Sequence, residues 1–123
     1  MQSILRRLRE NGRRQRDITG LAGSSGQLFL ARACSQLKKT VCCIVPADEQ
    51  LEVVARDTAL FTTARILIYP SFEIPPYTAL SPDPATTGAR LSTLYQLQDA
   101  GEPLIMFTSV EAVLRRVIPK QAL

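Results

Sequence analysis

Val41-Cys42-Cys43-Ile44-Val45 and Arg65-Ile66-Leu67-Ile68-Tyr69 are two near-continuous apolar, β-rich runs, and between them residues 48–61 place Leu51, Val54, Ala55 and Thr58 on one helical stripe. Apolar runs without alternation suit strands covered on both faces, which is the habit of parallel sheets. Outward from this stretch the rhythm repeats. Leu104-Ile105-Met106-Phe107-Thr108 is a third such run. Residues 27–38 carry Leu28, Leu30, Ala31, Cys34 and Leu37, and residues 87–100 set Leu91, Leu94 and Tyr95 on one face with Gln98 beside them and Gly101 as a C-cap. Ser109 is suited to N-cap a last short helix through Arg116, with Glu111 and Ala112 in its first turn. Asp48 and Glu49 lie early enough in their helix to favour the positive end of its dipole. Strands alternating with helices of these lengths predict an α/β fold: a mostly parallel sheet with flanking helices and right-handed crossovers.

One segment breaks the rhythm. Pro70, Pro75, Pro76, Pro82 and Pro84 fall within residues 70–84, and proline both withholds a donor and restricts the residue before it, so an extended loop is expected there. The loop leaves the carboxyl end of a candidate strand, the rim where open α/β sheets bind ligands. It reads first as a structural loop that packs Phe72, Ile74 and Tyr77 onto the sheet edge.

The other irregular stretch is a glycine-rich turn, Thr19-Gly20-Leu21-Ala22-Gly23-Ser24-Ser25-Gly26-Gln27, placed between a short apolar run and a helical segment as a nucleotide-binding loop would be. A P-loop needs Gly-x-x-x-x-Gly-Lys-Ser/Thr: backbone N–H groups cradle the phosphates, the lysine reaches the terminal ones and the hydroxyl holds Mg²⁺. Read from Gly20, the last three positions are Ser25, Gly26 and Gln27, and reading with Gly26 as the second glycine puts Gln27 and Leu28 in the lysine and hydroxyl places. Such a turn could still hold an anion weakly at a helix N-terminus, but it is not expected to hydrolyse ATP. The spacing of Gly20, Gly23 and Gly26 also matches a dinucleotide-binding turn, with Asp48 near the distance of a ribose-binding acid. Against that, the run before it is only Asp17-Ile18 after arginine-rich sequence, and the second strand leaves through Val45-Pro46. A Tyr-x-x-x-Lys pair is also missing, since Glu73, Ser81 and Asp99 stand four residues after Tyr69, Tyr77 and Tyr95.

Composition narrows the chemistry further. The 123 residues are 46% apolar, enough for one domain with a core. No apolar stretch approaches the ~18 residues that cross a bilayer, and the N-terminus lacks a secretion signal, so a cytoplasmic protein with no membrane partner is expected. There is no histidine, which removes Ser-His-Asp and Cys-His catalysis and the His-Glu-x-x-His zinc helix. Cys34, Cys42 and Cys43 form no Cys-x-x-Cys motif and read as buried thiols in a reducing compartment. Glu73 and Asp83 could pair as acid and base, but they read more simply as solvated or capping carboxylates. No catalytic residue, metal site or cofactor is therefore expected. The net charge of +4 is concentrated in the first seventeen residues, where Arg6, Arg7, Arg9, Arg13, Arg14 and Arg16 face only Glu10 and Asp17. This basic helix or arm, residues 1–17, is set apart from an α/β subdomain at 18–123. Arg6, Arg7, Arg13 and Arg14 are candidates for phosphate contacts to nucleic acid. The plainer alternative is a solvated helix face opposite Ile4, Leu5 and Leu8, since no aromatic residue interleaves the run to stack on bases.

As a set, the motifs resemble the N-terminal, UvrB-like region of the bacterial transcription-repair coupling factors. They are Gly20-Leu21-x-Gly23-Ser24-Ser25 leading into a helix, Phe72-Glu73-Ile74-Pro75-Pro76-Tyr77 followed by Leu80-Ser81-Pro82, and Arg90-Leu91-Ser92-Thr93-Leu94-Tyr95-Gln96-Leu97. Thr108-Ser109-Val110-x-Ala112-Val113-Leu114-Arg115-Arg116-Val117-x-Pro119 closes the series. The resemblance covers residues 18–123 and implies a piece of a long multidomain ATP-dependent DNA translocase that displaces stalled RNA polymerase and recruits UvrA for nucleotide excision repair. It implies a P-loop-like or RecA-like core similar to UvrB domain 1a. In UvrB the corresponding loop carries a complete Gly-Lys-Thr, whereas Ser25, Gly26 and Gln27 stand here. The degenerate loop at Gly20, Gly23, Ser24, Ser25, Gly26 and Gln27 then implies a non-catalytic module that scaffolds the UvrA-binding region and helps autoinhibition. Its partners would be the UvrA-binding subdomain and motor domains of the same polypeptide, with UvrA, RNA polymerase and DNA reached through the full-length protein. The alternative left open is a nucleotide- or dinucleotide-binding domain that uses the 20–26 turn.

Overall fold

The structure, a computed structural model, describes residues 2–10, 15–72, 83–117 and 119–122. Helix α1 (Gln2–Glu10) is followed by α2 (Ser25–Leu37), strand β1 (Val41–Val45), a 3₁₀ turn (Asp48–Gln50), α3 (Leu51–Ala59), β2 (Ile66–Tyr69), α4 (Pro84–Gln98), β3 (Ile105–Ser109) and the short α5 (Val110–Val113). The three strands are parallel in the order β1-β3-β2. All three lie where the apolar runs predict, within one residue. Among the described residues β3 is central and the other two are edges.

The register divides the sheet into two unlike faces. Val41, Ile105 and Ile66 lie in one row and Cys43, Phe107 and Ile68 in the next. These side chains meet Leu30 and Cys34 of α2 and Leu51, Val54 and Ala55 of α3, so the main core lies between the sheet and this helix pair. Phe107 and Ile105 are fully buried; burying a side chain of this size contributes about 2–3 kcal/mol. The chain passes from β1 over β3 to β2 and then turns back to β3, and α3 and α4 lie on opposite faces, the arrangement that the general preference for right-handed crossovers favours. On the second face α4 packs on β2, covering Leu67 and Tyr69.

That second face corrects several expectations. Both-face cover fails for β1, where Cys42 and Ile44 are exposed, so Cys42 is not a buried thiol, whereas Cys34 is buried and Cys43 half-buried. α4 buries Arg90 and Thr93, leaves Leu91 and Leu94 half-buried and turns Tyr95 out to solvent. Besides covering Leu67 and Tyr69, its contact row bonds backbone at the end of β2, Arg90 to Pro70 O and Thr93 to Ile68 O. α4 also begins earlier than expected: Asp83 caps it by accepting from Thr86 N at 3.3 Å, and Pro84 occupies the first turn, where a missing N–H costs nothing. It ends at Asp99 and not at Gly101. Ser109 does cap α5, its Oγ accepting from Ala112 N at 3.1 Å, but that helix stops at Val113 and does not reach Arg116.

α1 packs on α2 through Leu5, which is buried, with Ile4 and Leu8 half-buried beside it. Arg6 and Arg7 face solvent, while the Arg9 guanidinium donates to Gln36 O at 2.6 Å, a favourable place for a cation at the end of α2. Arg13, Arg14, Glu73, Ile74 and Tyr77 lie outside the described residues. No described helix is long and apolar enough to cross a membrane.

Candidate functional site at the carboxyl rim of the sheet

The glycine-rich turn sits at the head of α2, but no strand feeds it: residues 15–22 carry no regular structure. Residues 38–40 join α2 to β1, so the helix runs back along the strand and its N-terminus points toward the carboxyl end of the sheet. Gly20 (φ +80°) and Gly23 (φ +58°) adopt the left-handed backbone that glycine tolerates. Between them and the helix, Ser25 closes the turn on itself. Its hydroxyl accepts from Ala22 N at 2.8 Å and donates to Ala22 O at 2.7 Å, and Ser25 N also donates to Ala22 O at 3.2 Å. The Ala22 amide, which could otherwise face an anion, is thus occupied by the protein's own hydroxyl. The adjoining hollow, about 250 Å³, is walled by Leu21, Phe29, Leu30, Cys43 and Val54, with Gln27 as its polar side chain. An apolar wall with no cation is a poor place for triphosphate.

A second constellation, which the sequence did not single out as a site, ties together the loops leaving all three strands. Asp48, after β1, accepts from Ser71 N at 3.0 Å through Oδ2 and from the Ser109 hydroxyl through Oδ1. Its carboxylate therefore closes the rim of the sheet and does not simply answer a helix dipole. Ser109, fully buried, passes the connection to Ala112 N. Thr108 Oγ1 donates to Tyr69 O at 2.9 Å, and Thr93 Oγ1 of α4 donates to Ile68 O at 2.8 Å.

Arg90 brings a buried positive charge to this rim. It is 4% exposed, its Nη1 donates to Pro70 O at 2.6 Å, and its guanidinium lies 4.1 Å from the Tyr69 ring centre and 4.4 Å from that of Phe72. Two aromatic faces so placed stabilise a desolvated cation. Burial pulls the Arg90 pKa down from its usual value, with the Arg115 charge pulling the same way, while Tyr69 and Asp48 oppose. Burial likewise pushes the Tyr69 phenol up, and the Arg90 charge only partly offsets this. Arg90 Nη2 and Tyr69 Oη have no partner of full hydrogen-bond geometry among the described residues, while the two side chains lie close enough for each to favour the other's charged form. In the sequence Arg90 and Thr93 are an i, i+3 polar pair on α4, off the face marked by Leu91, Leu94 and Tyr95.

No family model matches the chain. Over 107 residues it is 30% identical to the transcription-repair-coupling factor of Myxococcus xanthus, an alignment that takes in 81% of this chain and 9% of that protein. The chain is related to a transcription-repair-coupling factor. It spans less than a tenth of the length of that relative, so it corresponds to one segment of a much longer polypeptide. The α/β architecture expected from the resemblance is present as a small three-stranded parallel sheet with helices.

Proposed function

We propose that this chain is a non-catalytic module of a transcription-repair coupling factor, one that keeps the architecture of a nucleotide-binding core without its chemistry. The observation that carries this reading is the closed turn at 20–27. The Ser25 hydroxyl accepts from the Ala22 N–H and donates to the Ala22 C=O, Gln27 stands in the lysine place, and the neighbouring hollow is apolar. In this reading the turn is a degenerate Walker A element, the core is related to that of UvrB domain 1a, and the ATP-driven translocase lies elsewhere in the polypeptide. The module scaffolds the neighbouring UvrA-binding region and helps hold the full-length factor in a repressed state. RNA polymerase, UvrA and DNA are engaged by the whole protein. Support comes from the relationship to the Myxococcus xanthus factor and from the unpartnered apolar side chains Ile44, Val110, Val113 and Leu114, which suit a surface facing further protein.

A thermal-shift titration with Mg·ATP, ADP and NAD(P) tests it. A ligand at a hundred times its dissociation constant adds about 2.7 kcal/mol to folding stability, so binding could not be missed. The expected result is no saturable shift with any of the three. Saturable stabilisation by ATP or by NAD(P) would replace this reading with that of a nucleotide- or dinucleotide-binding domain.

A further inference from the structure

We propose that the face formed by α1 and the end of α2 docks on the phosphate backbone of duplex nucleic acid, with Arg6, Arg7 and Arg9 of α1 and Lys38 and Lys39 beyond α2 as its contacts. Such a surface is independent of whether the 20–27 turn takes a nucleotide.

Charge is divided unevenly along this chain. Residues 1–40 carry nine basic side chains against Glu10 and Asp17, whereas residues 41–123 carry six against nine acidic ones. The fold gathers much of that excess on one surface. Because Leu5 is buried and Ile4 and Leu8 half-buried against α2, helical spacing puts Arg6 outermost on α1 with Arg7 and Arg9 on its flanks, and all three are exposed. The bond from Arg9 to Gln36 O, 2.6 Å long, brings α1 alongside the end of α2, where the exposed Lys38 and Lys39 follow. Neither α2 nor residues 38–40 contain an acidic side chain, and among the described residues no ion pair engages these five cations.

Lys38 supplies an independent observation. It ends α2 at φ +52°, the left-handed conformation that a helix end ordinarily gives to glycine, with its N–H donating to Cys34 O at 3.1 Å. An ammonium is therefore held at this helix end despite a backbone that glycine would adopt with less strain. The face offers charge and little else, which selects its partner. The leucines of α1 are spent on α2, so the helix has no free apolar side to lay into lipid. No described aromatic or apolar anchor stands among the cations to centre a protein interface. A row of phosphates needs neither, because each Lys or Arg contact gains affinity by releasing counterions. α1 and residues 30–40 also lack an aromatic side chain to stack on unpaired bases, which favours a duplex over a single strand.

The test is fluorescence anisotropy of a labelled DNA duplex of about 20 base pairs with the full chain across a salt series, where four or five neutralised phosphates should give a slope of about −4 in log affinity against log salt. Arg6→Gln with Arg7→Gln, two exposed changes, should weaken binding several-fold and flatten the slope by about 2. Lys38→Gly should raise the melting temperature by relieving the left-handed backbone, yet flatten the slope by about 1, a divergence that a purely structural lysine would not give. Arg56→Gln with Lys120→Gln removes the same charge from exposed positions elsewhere and should leave the slope unchanged. No measurable binding at low salt, or equal flattening by the two double variants, would overturn the proposal. Tighter binding to phosphatidylserine vesicles than to the duplex would overturn it in favour of a membrane surface.

Discussion

The turn at 20–27 and the rim around Asp48, Arg90 and Ser109 lie toward the same end of the sheet, but they were built in opposite ways. The turn has the outline of a ligand loop, and its polar groups are spent on one another across three residues. The rim lacks the outline of a ligand loop, and it gathers a carboxylate, an arginine, two aromatic rings and the hydroxyls of Thr93, Thr108 and Ser109 from segments up to 61 residues apart. Local bonds close the turn on itself, whereas long-range bonds tie the exits of three strands together.

Asp48→Ala should produce the largest effect. It strands the Ser71 amide and the buried Ser109 hydroxyl together, and the expected loss is about 3 kcal/mol in chemical denaturation. Loss below about 1 kcal/mol would mean the three post-strand loops are held independently. Next, Gly23→Val meets no side-chain clash but must hold a β-branched residue at φ +58°, which costs about 1–2 kcal/mol. Ser25→Ala, removing both hydroxyl bonds at a half-buried position, should cost about 1 kcal/mol, and it should free the Ala22 amide for faster hydrogen exchange. The contrast between the Asp48 and Ser25 variants measures directly how much more the rim contributes than the turn.

Alkaline titration separates the two regions in another way. Burial raises the Tyr69 pKa, so the folded protein keeps its phenol proton after the unfolded chain has begun to lose it. The stability this contributes is complete below the ordinary phenol range and is lost as pH rises through the folded value. Tyr69→Phe should flatten that part of the pH-stability curve. It should also raise stability near neutral pH by about 1 kcal/mol, because it deletes a buried, unpartnered hydroxyl. The smallest expected change is in Gln27→Lys, which restores a cation beside the turn yet leaves Ala22 occupied, and nucleotide affinity should stay unmeasurable.

The sheet was legible because strand residues were apolar and contiguous: Val41 to Val45, Ile66 to Tyr69 and Ile105 to Thr108 announce themselves without reference to the rest of the chain. The Ser109 cap was legible for the same reason, its partner lying three residues on. The Arg90 site was not. Its partners, Pro70 and Tyr69, are about twenty residues away, and its helix was oriented by its leucines when its polar row faces inward. The Asp83-Pro84 start of α4 was written in the sequence as a cap followed by proline, but five clustered prolines read as loop. The exposed face of β1 could not be foreseen from Cys42 and Ile44, because an uncovered apolar strand and a buried one have the same composition.

The Ala22 amide is held by the Ser25 hydroxyl and so is withheld from phosphate. Amide NMR of residues 20–27 during titration with Mg·ATP addresses this directly. The prediction is that the Ala22 N–H signal neither moves nor loses its protection at millimolar nucleotide, while Ser25→Ala alone releases it. A saturable shift of Ala22, Ser25 and Gly26 together in the unaltered chain would contradict the account and restore the turn as a nucleotide site.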